Sequence, residues 1–245
     1  MINIQRLIDT AAACGIPLTG EQAERFDLYA ALLVEWNGKM NLTAITDPRE
    51  MEIKHFVDSL TALDSLPPPR EEGEGPRLID VGTGAGFPGV ALKIMRPDLR
   101  LTLLDSLNKR LTFLKELCTA LRIEAEFLHG RAEEVGRRKG RRETYDVATA
   151  RAVASLPVLC EYCLPLVKTG GQFLAMKGPD GDREAREAAS AISQLGGELA
   201  AVDQRTLPGV GEEGPASRKI LRIDKLSPTP DRFPRQAAKI AKQPL

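Results

Sequence analysis

The chain has no excess of either charge: its 34 Lys and Arg are matched by 34 Asp and Glu over 245 residues. No global basic field is available to draw in nucleic acid, so any such partner requires cations sorted onto one face. Only four cysteines occur, Cys14, Cys118, Cys160 and Cys163, scattered through apolar periodic segments. Nothing in that spacing suggests a disulfide framework. Cys160 and Cys163 form a lone CxxC inside PVLCEYCLPLV, which reads as a buried helix, so core packing is favoured and no metal or redox site is expected. No apolar run is long enough to span a bilayer and no charged-then-apolar leader is present, so a cytoplasmic location is expected. Internal repeats are also missing. What is present is 42% hydrophobic and 28% charged content, enough to bury one good core and a second small element.

The first 65 residues read as helical. TGEQ (Thr19 to Gln22) has capping-box spacing, and Phe26, Tyr29, Leu33 and Trp36 follow at helical steps. A further helix starts at DPRE, with Asp47 as cap and Pro48 in the first turn. On it, Ile53, Phe56, Val57, Leu60 and Leu63 would share an apolar face, with His55, Asp58 and Ser59 opposite. LPPPREEGEGPR follows, and a linker is placed at residues 66–76. Strands then alternate with helices over 77–226. The expected strands are RLIDV (77–81), RLTLLD (100–105), AEFLH (125–129), YDVATA (145–150) and GQFLAMK (171–177), then ELAAVDQRTL (198–207) and RKILRIDKL (218–226). Helices are expected near 88–96, 107–122, 131–137, 155–166 and 181–195. The alternation predicts an α/β fold: a doubly wound, mostly parallel seven-stranded sheet with helices on both faces. The last two strands lack a helix between them and predict an antiparallel edge hairpin. Residues 227–245 form a basic, proline-rich tail.

Directly after the first strand stands DVGTGAGFPG, with Gly82, Gly84 and Gly86. Glycine there permits positive φ and close approach of a ligand to the backbone. In an open α/β sheet, ligands bind beyond the carboxyl ends of the strands. GAGFPG formally matches the dinucleotide fingerprint GxGxxG, but the first glycine at the strand end is Gly82, and counted from there the pattern fails at Phe87. Asp80 is a poor neighbour for a pyrophosphate and suits a loop facing an amino group or ordered water. Asp105, closing the second strand, is placed to accept hydrogen bonds from ribose hydroxyls. Ala132 and Glu133, in GRAEE after the third strand, could flank an adenine ring. For Asp105 or Glu133 alone, a carboxylate stabilising a helix N-terminus serves as well. As an ordered series at successive strand ends they favour a nucleoside cofactor.

With DVGTGAGFPG, LLDS, GRAEE and ARAVASL in this order, the sequence resembles the class I S-adenosylmethionine-dependent methyltransferases. With NLTAI (41–45), KHFVDSL (54–60) and MKGP (176–179) it is similar, over nearly its whole length, to the bacterial 16S ribosomal RNA guanine-N7 methyltransferases. The resemblance implies S-adenosylmethionine as cofactor and S-adenosylhomocysteine as product. The implied contacts are Gly82, Phe87, Asp105, Ser106, Leu107, Ala132, Glu133 and Arg151, to which the glycine turn itself adds Gly84 and Gly86 as expected cofactor-binding residues. One part departs from the family pattern: Pro234-Arg235 is followed by QAAKIAKQPL rather than by glycine and proline.

The end of the fourth strand, TARAVASLP, carries neither the [N/D]PP[Y/F] segment of exocyclic-amine methylation nor the cysteine of pyrimidine carbon-5 methylation. Guanine N7 needs neither, because its lone pair is free and there is no proton to remove. Catalysis then reduces to alignment, and no general base is expected. N7 is inaccessible in the deep major groove of A-form RNA, so the target must be looped, unfolded or flipped. RNA contacts are expected from Arg131, the run Arg137, Arg138, Lys139, Arg141 and Arg142, from Lys177, and from Arg232, Arg235, Lys239 and Lys242 in the tail. The run by itself reads as a solvated loop. Arg151 and Lys177, at strand carboxyl ends, are positioning candidates, as are His55, Asp58 and Ser59, for which a structural network is favoured over a lid or a guanine-positioning group. The expected partner is 16S rRNA or the small ribosomal subunit, bound by a monomer. A small-molecule methyltransferase, an NAD-binding oxidoreductase and a silent RNA-binding factor are the alternatives.

Overall fold

A computed structural model describes residues 1–69 and 75–245 of the chain. The described residues form one sheet of β1 (Arg77–Val81), β2 (Arg100–Asp105), β3 (Ala125–His129), β4 (Tyr145–Arg151), β5 (Val167–Lys177), β6 (Gly197–Leu207) and β7 (Ala216–Lys225). Their order is β3-β2-β1-β4-β5-β7-β6. β1 to β5 are parallel, and β7 enters antiparallel between β5 and β6. The strand order reverses between β1 and β4, so the crevice opens at their carboxyl ends. The first three strands coincide with the expected ones. β5 starts earlier, at Val167, passing through Gly170 at φ +82°.

Strand side chains alternate between faces. Leu78, Val147, Leu174 and Ile220 enter one core; Ile79, Ala148, Ala175 and Leu221 enter the other. The first face is covered by α1 (Ile4–Ala13), α2 (Gly20–Met40), a helical segment and, after β1, α5 (Gly89–Met95) and α6 (Asn108–Ala120). That segment joins α3 (Pro48–Glu50), a π-helix (Met51–Val57) and α4 (Asp58–Leu60). Leu7, Phe26, Leu33 and Phe56 share one core with Leu78, Phe113 and Leu117, so residues 1–65 do not bury a core apart from the sheet. Residues 70–74 of the expected linker lie outside the described residues. The second face carries α7 (Ala132–Val135), α8 (Leu156–Cys163), α9 (Gly181–Glu187) and α10 (Ala189–Gln194). Cys160 and Cys163 are fully buried there.

The capping box forms: Thr19 Oγ1 accepts from the Gln22 amide at 3.2 Å and Gln22 Oε1 from the Thr19 amide at 2.9 Å. Asp47 caps α3, accepting from the Arg49 and Glu50 amides at 2.9 Å each. The expected two-faced helix over 53–63 is corrected. From Met51 to Leu60 every residue but Lys54 is buried, because the segment lies between the amino-terminal helices and the sheet. Its i→i+5 turns also shift the side chains off α-helical phase. Ser59 therefore turns inward and its hydroxyl donates to the His55 carbonyl at 2.6 Å.

The tail is docked on the second face and closes with α11 (Ala237–Lys242). Arg142 donates to the carbonyls of Thr229 at 2.5 Å and Phe233 at 2.8 Å. Arg235 forms a forked pair with the fully buried Glu161, Nη2 to Oε2 at 2.7 Å and Nε to Oε1 at 2.9 Å. The expectation that Arg142 and Arg235 bind RNA is thus corrected: their donors are spent on the fold, and Glu161 would be a costly unpaired charge without Arg235. No helix among the described residues is long and apolar enough to cross a membrane.

Candidate active site

The turn after β1 is made by three glycines in left-handed conformation, Gly82, Gly84 and Gly86 at φ +69°, +59° and +102°. At Gly86 a Cβ would lie 2.5 Å from the Tyr29 hydroxyl, so a side chain is also excluded by packing. The amides of this turn are directed inward. Those of Gly82 and Thr83 donate to Leu104 O, those of Gly86 and Phe87 to Thr83 O, and that of Gly84 to Asp105 Oδ2 at 3.0 Å. The Gly89 amide, opening α5, donates to Asp80 Oδ2 at 3.0 Å. Asp80 also accepts from Thr83 Oγ1 at 2.6 Å and Thr149 Oγ1 at 3.2 Å. The expectation that Asp80 faces an amino group or water is corrected: it is wholly buried and fastens both ends of its own turn. Burial pushes its carboxyl up to about 6, against the pull of these donors. A pyrophosphate needs free amides at such a helix start, and here the protein's own carboxylate holds that place.

Beside the turn lies a cleft of about 150 Å³ lined by Gly82, Asp105, Ser106, Arg131, Ala132 and Glu133 and walled by Val153 and Tyr162. Asp105 accepts from the Leu107 amide at 2.9 Å and from Arg110 Nη1 at 3.2 Å, besides Gly84. Two oxygens with about four lone-pair sites leave it room for one more donor, and Arg110 is a replaceable partner. Gly82, Gly130 and Ala132 leave the floor free of bulk. Small residues, a strand-end carboxylate and a buried Glu133 together fit a nucleoside. Phe87 does not line this cleft. Its ring is buried at 5.0 Å from Tyr29 and 4.5 Å from His55. Gly84 and Gly86 act through the turn, not the cleft wall.

A second pocket, about 440 Å³, adjoins through the turn at Ala152, which has φ +56°. Its lining includes Lys54, His55, Asp58, Arg151, Lys177 and Arg218. Asp58 Oδ2 meets Arg151 Nη1 at 2.9 Å and Oδ1 meets Arg218 Nε at 3.0 Å. Lys54 pairs with Glu50 at 2.7 Å and Glu213 at 2.9 Å, Lys177 with Glu184 at 2.8 Å. The Arg151 guanidinium also sits 5.0 Å from the Phe87 ring centre, a cation–π contact. Burial, then the charge of Arg151, pulls His55 down to about 4, so the imidazole is neutral. Its Nε2 lies 2.8 Å from Thr43 Oγ1.

The site thus joins a glycine turn with its anion place filled from within, a small cleft beside it and a second pocket with a charged rim. The family model described as rRNA small subunit methyltransferase G (GidB) covers residues 22–208. The chain belongs to this family. Ribosomal RNA small subunit methyltransferase G of an Exiguobacterium sp. is 48% identical over 245 residues, all of both chains. The protein of the same name from Lactobacillus delbrueckii subsp. bulgaricus is 46% identical over the same full span. In fold the chain is similar to one from the complex of the Haloferax volcanii Trm112 methyltransferase activator with a protein described as a methyltransferase (TM-score 0.55, 15% identity). That match covers 80% of this chain and 98% of the other.

Against this family the remaining expected residues sort as follows. Arg151 and Lys177 reach the second pocket, not the cleft beside the glycine turn, and His55 and Asp58 join them, whereas Ser59 does not. Leu107 is exposed beside Asp105. Arg131 lines the cleft; Arg137 donates to Arg232 O at 3.2 Å; Arg138 lies beside Gly130. Lys139, Arg232, Lys239 and Lys242 are exposed. Arg141 is corrected as an RNA contact: it pairs with Glu126 and reaches Tyr145, near the amino ends of β3 and β4, across the sheet from the cleft. Sequence reading missed Tyr29, Lys54, Tyr162 and Arg218. Lys54 stood inside the quoted KHFVDSL, but Arg218 lies on β7, and only the antiparallel insertion of that strand between β5 and β6 brings it to this edge.

Proposed function

We propose that the chain transfers a methyl group from S-adenosylmethionine to N7 of a guanine in 16S rRNA, leaving S-adenosylhomocysteine. The observation that carries this is the pair of adjoining cavities at the β1/β4 crevice, one fit for a nucleoside and one ringed by polar and charged side chains. The cofactor supplies an electrophilic methyl on sulfonium. The chain's part is positioning. Asp105 accepts from ribose hydroxyls, Gly82 and Ala132 leave room for the nucleoside, and Glu133 offers a second acceptor. The turn at Arg151 and Ala152 separates and aligns the two cavities. N7 carries no proton, so no base is required, and alignment at about 3–3.5 Å provides the acceleration. The purine becomes cationic, and the imidazole of His55, neutral in its buried place, adds no opposing charge.

Arg131, Arg137, Arg138, Lys139 and Arg232 form the RNA approach beside the cleft, and we place the monomer in the cytoplasm with its rRNA. The charged rim speaks against a small apolar acceptor, and the inward amides of the glycine turn speak against a dinucleotide. Incubation with labelled S-adenosylmethionine and 30S subunits or naked 16S rRNA tests the reading. Label at guanine N7 is expected; no transfer, or transfer to another atom, overturns it.

A further inference from the structure

Asp58 is the unexplained group of the second pocket. It is a nearly buried carboxylate on the pocket wall, held by one arginine on each oxygen. Two lone-pair sites of its four are left. The rim cations do not invite a phosphate, because each already has a carboxylate: Lys54 has Glu50 and Glu213, Lys177 has Glu184, and Arg151 and Arg218 share Asp58. The pocket is therefore charge-balanced, with a fixed acceptor on its wall.

Resting on the function proposed above, we propose that Asp58 is the specificity residue for the acceptor base, accepting hydrogen bonds from N1–H and the N2 amine of guanine. Guanine alone among the four bases presents two adjacent donors on its Watson–Crick edge. Adenine and cytosine place a ring-nitrogen lone pair against the carboxylate, and uracil places two carbonyls beside its single N–H. A guanine held by N1 and N2 leaves N7 on its opposite, free edge. Charge also favours this seat. As positive charge builds in the purine during methyl transfer, N1–H and N2–H become stronger donors, so the bond to Asp58 tightens toward the transition state. Arg151 and Arg218, one on each oxygen, hold the carboxylate fixed in direction, as preorganised electrostatic catalysis requires. Arg218, from β7, thus makes the edge hairpin part of the acceptor site.

The test starts with the RNA nucleotide that the wild-type enzyme methylates, replaced by inosine, which lacks only the N2 amine. With wild type, kcat/KM is expected to fall by about 10- to 100-fold, the range for a hydrogen bond to a charged group. In Asp58→Asn the rate on guanine falls and the guanine-to-inosine ratio drops toward one. Affinity for S-adenosylhomocysteine, measured by calorimetry, stays within about threefold, as expected of a lost contact outside the nucleoside cleft. Equal rates on guanine and inosine with wild type overturn the proposal even if the variant fails to fold. A variant that keeps the wild-type ratio overturns it too. Absence of any transfer by wild type is a different result and removes the function itself.

Discussion

Asp80, near the end of β1, and His55, in the π-helix, are both buried titratable groups, and burial drives them in opposite directions. Asp80 is pushed up to about 6 and His55 pulled down to about 4. Their surroundings differ in origin. Asp80 draws on Thr83 and Gly89 of its own turn and Thr149 of the adjoining strand. His55 depends on chain remote from it: Thr43 at its Nε2, Phe87 against its ring, and Tyr29 behind Phe87. Asp80 thus draws two of its three donors from the turn that follows it and the third from the neighbouring strand, while the helical layer acquires its environment only by docking.

Removing the strand-end acceptor should have the largest effect. Asp105→Ala is expected to weaken S-adenosylhomocysteine binding by about 100-fold in calorimetry, in line with losing charge-assisted hydrogen bonds. Unchanged affinity would move the nucleoside out of the sheet-edge cleft. The two titrating groups can then be separated by urea unfolding at pH 4 and pH 6.5. Asp80 has a folded value above its unfolded one, so its contribution is full below about pH 4 and is lost as pH rises through about 6. His55 has a folded value below its unfolded one, so its contribution is full above about pH 6.5 and is lost as pH falls toward 4. Each shift amounts to about 2 kcal/mol across this window, and in the wild type the two nearly cancel. Asp80→Asn should make stability rise with pH by about 2 kcal/mol more than in wild type, and His55→Gln by about as much less. Parallel curves for all three proteins would erase the contrast.

Tyr29 joins the two regions through its hydroxyl, 2.6 Å from the Ala85 carbonyl. Tyr29→Phe should lower stability by about 1–2 kcal/mol and raise the KM for S-adenosylmethionine several-fold with kcat little changed. An equal fall in kcat would mean that the helical layer acts on the transfer step itself. The smallest effect is expected outside both regions. Lys139→Ala should reduce the slope of log affinity for RNA against log salt by about 0.7, the loss of one phosphate contact to a single strand. An unchanged slope takes that loop off the RNA path.

The strands and the glycine turn were legible because their signals are local: period-two apolar runs, and glycines where φ is positive. The ligand edge followed from the parallel order, and the family from motifs in a fixed sequence. The second pocket was legible only in part. His55 and Asp58 were visible as polar residues on a helix, but their partners were not. The apolar count of residues 51–60 gave no sign of a π-helix buried on nearly all sides, because that depends on being enclosed by α1, α2 and the sheet. Likewise, the arginines of the run and the tail look alike in sequence, yet Arg142 and Arg235 are consumed by carbonyls and by Glu161 while Lys139 is exposed.

By itself the sequence determined the strand and helix succession and the glycine turn, which rest on neighbours a few residues apart, and the family, which rests on short motifs in a fixed order along the chain. Only the tertiary structure decided that Asp80 faces inward, that Phe87 packs against Tyr29 and His55, and that Asp58 holds Arg151 and Arg218. Those contacts join residues far apart in the chain. They form because buried charges and rings must find partners, and folding alone brings the partners within reach.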